Sequence, residues 1–506
     1  MTTPDAGHTD RPETIPQPET AEPMAPGPMA TGPMAPAQPL SRLDRAILAA
    51  LLTVMGAELV WLATGALPAR LLSGLGVLSV VAIAAPRFSL REVYLLTVCS
   101  ALSAGVVWVS DTPGAVLAGA LDQAAFLMAF ILLIGLLQQA ASTSEAIRTC
   151  GIYLTRQPPG RRYLSVFLGT HFMAQLFNLG VVSLLTPLIR RGSAAGAEDD
   201  LGPIRERRQL GAMLRGFAWG VVWSPTAVAP LVLATLLPEA ERLPWIAAGA
   251  VIALVILVVG WAEDRARFAA LRRARGTSAR PTPPPFPRGA YARLAGVATA
   301  LLGITLAAML ILGGSVVFGL MIASPLVMLG WLALQAEGPA RNRLTVAGTN
   351  AAAILRRTLP PAAPLAVTLA CSGYIGRAAA ALIPAEQWAE ALGIAAMPGW
   401  LFLLGLSVTV ALLSQFALSP IMMAVFVGSL IAELPVLPAD ITWAALAISC
   451  GWALSMTSSP FATVVLMIEQ ATGHSGRRLT WFWNGRFTAL SIAVLAVSFW
   501  LLDRFA

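Results

Sequence analysis

From Leu43 onward the chain is a succession of apolar stretches of about twenty residues, each long enough to cross a hydrocarbon core of roughly 30 Å. The first four read as spanning helices near 43–62, 70–86, 91–110 and 115–141. The next apolar stretch, 163–189, breaks the alternation of sides. It is preceded by Arg148, Arg156, Arg161 and Arg162 and followed by Arg190, Arg191, Arg205, Arg207, Arg208 and Arg215. Arginine-rich connections stay on the cytoplasmic side, so both flanks of 163–189 belong there. A re-entrant hairpin satisfies this, with two half-helices meeting near Asn178-Leu179-Gly180. Each arm is then roughly 20 Å long at 1.5 Å per residue, too short to span alone.

The segment 211–236 is interrupted by Trp223-Ser224-Pro225-Thr226. Proline removes an amide donor and disfavours helix in the residue before it, which predicts a helix broken at mid-depth. A span at 244–262 follows, then a basic, proline-rich connection. The second half reads in the same way. Spans fall near 292–312, 315–335 and 358–382, a hairpin at 398–434 centred on Leu418-Ser419-Pro420, a broken helix at 441–470 interrupted at Ser458-Ser459-Pro460, and a last span near 482–502. The flanks of the second hairpin carry Glu386, Glu390, Glu433 and Asp440 but no arginine, so it opens from the other face.

The two halves overlay. Ala174-Gln175 matches Ser414-Gln415 at an offset of 240, and Ser224-Pro225-Thr226-Ala227 matches Ser459-Pro460-Phe461-Ala462 at an offset of 235. The predicted fold is therefore an all-α polytopic membrane protein of about eleven transmembrane helices plus two re-entrant hairpins, in two inverted repeats. Its divisions are a disordered cytoplasmic tail at 1–40, an extra first transmembrane helix at 41–69, repeat one at 70–262, a basic cytoplasmic linker at 263–291 and repeat two at 292–506.

Composition sharpens this picture. Of the 506 residues 57% are hydrophobic and 12% charged, against about a quarter charged in soluble domains. The net charge of +8 comes entirely from arginine, with no lysine. Those arginines lie in short connections without interleaved aromatics, which argues for lipid rather than nucleic acid as the partner. Four scattered cysteines (Cys99, Cys150, Cys371, Cys450) and three histidines supply neither a disulfide framework nor a metal site. No GxxxxGK[ST] loop is present for ATP. The tail has no apolar core of the kind a signal peptide needs.

Inverted repeats with helices broken at mid-membrane point to a solute site. A half-helix that begins after Ser224 or Ser459 presents free amides and a partial positive charge, suited to a carboxylate or oxyanion. The candidate binding residues are Asn178, Ser183, Thr186, Ser224, Thr226, Ser414, Gln415, Ser419, Ser458, Ser459 and Thr463. Asp122 and Arg377 lie inside predicted spans, and intramembrane charge is functional by default. They read as an ion pair or gate, in the case of Asp122 as a proton site, or alternatively as side chains that reach the interface. Glu58 reads as interfacial, and His171 as a buried neutral histidine rather than a pH sensor.

An inside N-terminus, eleven spans, an outside C-terminus and one hairpin per repeat, each followed by a broken helix, resemble the ion transporter superfamily. That group includes divalent anion:sodium symporters and arsenite and sodium/proton antiporters. The resemblance covers about 70–502. Dicarboxylate-type members carry Ser-Asn-Thr at the hairpin tips, where this chain has Phe177-Asn178-Leu179 and Leu418-Ser419-Pro420. The resemblance implies sodium or a proton as coupling ion, no other cofactor, and elevator motion against a scaffold that dimerises.

The function expected from these readings is secondary transport of a small organic or inorganic anion, a carboxylate first, across the inner membrane. A proton-coupled efflux antiporter is the second reading, favoured by an essential Asp122. A membrane-embedded glycosyltransferase or polysaccharide polymerase is a third, from another class. Such enzymes use large charged outer loops, and none is predicted here.

Overall fold

A computed structural model describes residues 39–505 apart from 143, 195–200, 275–283, 337–338, 417 and 435. The predicted disordered tail thus lies almost wholly outside the described residues, as does part of the basic linker. Every regular element among the described residues is helical. The order is α1 (Arg42–Thr64), α2 (Leu67–Ala84), α3 (Leu90–Val109), α4 (Pro113–Ser142), α5 (Glu145–Thr155), α6 (Pro159–Phe177) and α7 (Gly180–Ala194). Next come α8 (Gly202–Gly220), α9 (Val228–Leu236), α10 (Arg242–Arg267), α11 (Ala269–Ala274), α12 (Arg288–Leu312), α13 (Val316–Gln335) and α14 (Ala340–Leu382). The chain ends with α15 (Ala385–Ala391), α16 (Gly399–Leu413), α17 (Pro420–Ala432), α18 (Ile441–Ser458), α19 (Thr463–Thr472) and α20 (Trp483–Phe505).

Local chemistry sets the ends of these helices. Ser41 caps α1 by accepting from the Asp44 amide at 3.0 Å, and Ser89 and Glu92 form a capping box on α3. Gly65, Gly313 and Gly473 close α1, α12 and α19 at positive φ, which a side chain would resist.

Among the described residues eleven helices are long and apolar enough to cross a membrane, the number expected, but the set differs by one. The broken segment α8–α9 is not among them, because α8 starts polar and α9 has only 9 residues. In its place stands the first arm of the second hairpin, Gly399–Phe416.

Two stretches read as connections turn out to be helical. The polar stretch 142–162 contains α5, whose residues Ala146, Ile147, Cys150, Gly151 and Leu154 are buried. That is amphipathic spacing, with only one face apolar, so the stretch lacks the even hydrophobicity of a span. The other is α14, 43 residues long, which begins 18 residues before the expected span and runs through Pro360, Pro361 and Pro364. Pro364 cannot donate to the Pro360 carbonyl, and Arg87 Nη1 does so instead at 3.2 Å.

The centre of the bundle is the pair α4 and α14, with α3 packed on α14 and α13 packed on α4. The Tyr374 and Ser103 hydroxyls, 2.7 Å apart, and a Thr368-to-Glu92 hydrogen bond of 3.0 Å join α14 to α3. The bundle has two chemically distinct ends. At one, Arg208 meets Asp264 at 2.6 Å, Arg190 reaches the Ala471 carbonyl, His474 lies 3.4 Å from Glu206, and Arg267 binds the Trp483 carbonyl at 2.8 Å. At the other, the Glu241 amide donates to Thr442 and Asp503 lies against Gly399. The hairpin α6–α7 starts and finishes at the arginine-rich end, and α16–α17 starts and finishes at the other. Likewise α8 begins at the arginine-rich end, whereas α18 begins opposite.

Candidate functional site

Each hairpin tip is fastened to the break of the helix that follows it, and the fastenings correspond. In the first half, Gln175 Nε2 donates to the His171 carbonyl at 3.0 Å and to the Gly220 carbonyl at 3.3 Å. The Thr226 hydroxyl donates to the Gln175 carbonyl, and the Thr226 amide donates to Ser224 Oγ at 3.2 Å. In the second half, Gln415 Nε2 donates to the Ala411 carbonyl at 3.1 Å and to Ser458 Oγ at 3.3 Å. Ser459 Oγ donates to the Ser414 carbonyl at 2.7 Å and accepts from the Phe461 amide at 3.2 Å.

The helix crossings that set these contacts correspond too. A Cβ on Gly216 would lie 2.3 Å from the Phe167 carbonyl oxygen, and one on Gly451 would lie 2.7 Å from that of Ser407. Phe167 and Ser407 are again 240 apart, and the two glycines 235. Only glycine lets the first arm of each hairpin approach the broken helix this closely.

Between these assemblies and the α4–α14 pair lies a cavity of about 320 Å³. Four helices begin at its wall. Asn178 and Leu179 precede α7, Ala227 and Val228 start α9, Ser419 and Pro420 start α17, and Ala462 and Thr463 start α19. No side chain caps the N-termini of α9, α17 or α19. The first-turn amides of these helices, Pro230 and Pro420 having none, lack a side-chain acceptor, and the partial positive charges of all four helices converge on the cavity. Asn178, with φ 42° and ψ −125°, is the one non-glycine described residue at positive φ. Held strain of this kind concentrates at binding sites.

The predicted site residues separate into three groups. Asn178, Ser419 and Thr463 line the cavity. Ser224, Thr226, Ser414, Gln415, Ser458 and Ser459 stand behind it: Ser414 bonds the Ala411 carbonyl of its own turn, Ser224 bonds Thr226 within the break, and the other four hold tips to breaks. Ser183 is exposed and Thr186 bonds the Val182 carbonyl at 2.7 Å, so α7 turns both away from the cavity. Residues missed by sequence reasoning are Gln138 and Gln139 on α4, Thr358 and Thr368 on α14, and Arg91 at the start of α3, all lining the cavity. Adjacent glutamines inside the apolar run 115–141 were the available signal.

The intramembrane charges pair otherwise than the sequence suggested. Asp122 is gripped by Arg70 through three contacts of 2.6 to 3.0 Å, with Trp61 stacked over the guanidinium. Arg377 is not its partner and has no ion pair among the described residues. A residue nine positions before the nearest cavity-lining residue of α4, locked in a bidentate pair and about a third exposed, is poorly placed to carry a transported proton. Asp122→Asn is expected to lower stability by at most about 1 kcal/mol and to leave solute binding unchanged in a titration. Loss of binding would return Asp122 to the site.

Glu58 is buried rather than interfacial, with Ser73 donating to it at 2.7 Å. At His171, Trp223 Nε1 donates to Nε2 at 2.8 Å, so Nδ1 carries the proton toward the Gly216 carbonyl at 3.2 Å. Those two bonds define the neutral ring and tie α6 to α8 and to its break.

These features are those of a polytopic, all-helical membrane protein with paired hairpins and broken helices around a central cavity. A solved structure of the Alcanivorax borkumensis YdaH transporter is similar to this chain, with a TM-score of 0.51 and 13% identity over 82% of this chain and 97% of that one. At that identity the likeness is one of fold. Neither family profiles nor curated protein sequences give a match.

Proposed function

We propose that the protein is a secondary transporter for an anionic solute, a carboxylate first, in the inner membrane with its N-terminus cytoplasmic. The observation that carries this reading is the meeting of four half-helix N-termini, three without side-chain caps, on one cavity. Non-helical backbone at mid-depth is tolerated where it lines a cavity, and its amides suit an anion. The shared fold with a solved transporter supports the same class. A transferase would need carboxylates at the cavity, and its described lining contains none.

Two inverted repeats, at 70–262 and 292–506, account for the matched hydrogen bonds and for hairpins that open at opposite ends. In this reading each hairpin and its broken helix travel together, because Gln175–Gly220 and Ser459–Ser414 bind them into a unit. The rest of the bundle is the scaffold past which that unit slides, and the scaffold is where a homodimer would form. The coupling ion is sodium or a proton.

Purified protein is to be melted with carboxylates and inorganic anions, each at two sodium concentrations and two pH values. A ligand that binds only the folded state raises Tm by mass action, roughly 2.7 kcal/mol at a hundred times Kd. The expected result is stabilisation by an anion that rises with one coupling ion and drops at least tenfold in apparent affinity in Ser224→Ala and Ser459→Ala. Absence of stabilisation by every anion would sink the proposal.

A further inference from the structure

The central cavity is ill suited to a small hydrophilic anion. Among its described lining residues Arg91 alone is charged, and most of the wall is aliphatic or aromatic, including Leu132, Leu136, Phe217, Leu359 and Trp452. Sulfate or a short dicarboxylate, drawn out of water to meet the helix N-termini, would leave that wall facing water, which is unfavourable in proportion to its area. An apolar body attached to the anion would cover it.

A second cavity, of about 520 Å³, lies on the other side of the first hairpin, between α6 and α12. Phe172, Trp223, Tyr291 and Leu301 are among its walls, and Phe172 and Leu302 at its rim are exposed. It is a groove on the apolar surface of the bundle, where lipid would lie. Between groove and central cavity is a narrow space. It shares Asn178 and Gln138 with the central cavity, and Gln175 and Thr226 with the groove. Thr226 and Gln175, joined by the hydrogen bond from the Thr226 hydroxyl to the Gln175 carbonyl, both line this space.

We infer that the solute is a carboxylate with an apolar body, and that it reaches the central cavity from the bilayer through this groove. The inference rests on the transporter reading above and narrows it. The carboxylate meets the uncapped amides of α9, α17 and α19, and the apolar body covers the wall. The groove brings that body along apolar walls from the bilayer to the narrow space, with the Thr226–Gln175 bond as the latch beside it.

The test uses the full chain in phospholipid nanodiscs, with empty nanodiscs subtracted. Octanoate and 4-phenylbutyrate are compared with succinate, citrate and sulfate at matched ionic strength. The expected result is saturable binding of the two apolar carboxylates at least tenfold tighter than of the other three. Ala298→Trp narrows the groove from its α12 side, and Ala295→Phe does so with a smaller ring. Either one, if its melting temperature matches the wild type, is expected to slow association of 4-phenylbutyrate several-fold and leave its equilibrium affinity unchanged. Saturable binding of succinate, citrate or sulfate alone overturns the inference and leaves the transporter reading standing. No saturable binding of any anion overturns both. An unaltered association rate in both groove variants overturns the lateral route.

Discussion

Gly216→Ala is expected to prevent stable folding, although alanine is the better helix former by up to about 1 kcal/mol. The added methyl would sit 2.3 Å from the Phe167 carbonyl oxygen and 3.0 Å from that residue's Cα. Both are backbone atoms, so relief requires α6 and α8 to separate along their contact. Overpacking of this kind costs roughly 1–3 kcal/mol where side chains can yield, and more where backbone must move. Gly451→Ala is expected to behave alike and somewhat less severely, because its methyl would lie 2.7 Å from the Ser407 carbonyl oxygen. Gly405→Ala, on α16 with open space around it, is the control and is expected to be neutral or stabilising. Melting temperatures and the yield of monodisperse protein decide the matter. A Gly216→Ala protein that melts with the wild type would mean that the crossing is looser than described here.

The second large effect belongs to Arg215. Its buried guanidinium donates to Asn484 Oδ1 at 2.8 Å, to Glu263 Oε2 at 3.0 Å and to the Tyr163 hydroxyl at 3.4 Å, and lies 4.2 Å over the Phe487 ring. Arg215→Met keeps most of the stem's packing but leaves Asn484 without a donor and Glu263 with Arg267 as its remaining ion-pair partner. Removing one member of a buried pair typically costs about 3–5 kcal/mol, much of it the desolvation of the group left behind. The second carboxylate-arginine contact places the expected loss near the lower figure. Glu263→Gln is expected to cost less in the Arg215→Met background than alone, with a coupling of about 1–3 kcal/mol between the two sites. Additive losses in a denaturation cycle would show that the residues do not act as a pair.

This anchor has no counterpart in the second half, where the residue 235 positions later is Cys450. The two halves share the crossing and the tip-to-break fastenings but differ in how the broken helix is held ahead of its break. Arg215, Glu263 and Asn484 tie α8 to α10 and α20, whereas α18 begins with an Asp440 cap that accepts from the Thr442 amide at 2.7 Å.

What could be read beforehand was whatever proline, polarity and charge mark locally. Asn178, Pro225, Ser419 and Pro460 punctuate long apolar runs, and each stands between two helices in the structure. The arginine clusters gave the shared flanks of the first hairpin. Pairings across helices were not legible, because these spans are apolar all round and present no face to orient. Nothing local could reveal that Asp122 meets Arg70, 52 positions away, rather than Arg377. The division of labour among the polar residues was hidden for the same reason. Ser459 and Thr463 are neighbours in sequence, yet one fastens the hairpin and the other faces the cavity. The three prolines of α14 do not break it, and the Arg87 side chain satisfies a carbonyl that they release.

At 1.5 Å per residue the 43 residues of α14 make a rod of about 65 Å, twice the hydrocarbon thickness. Near its start Arg341 to Thr345 are exposed, and its three prolines fall near the middle, beside Thr358 and Thr368 on the cavity wall. Such a rod has one cheap place to bend. A spin label at Arg343 and another at Ala379, beyond the bend, would report the change in distance across it, so flexing of the cavity wall could be followed without any label in the site.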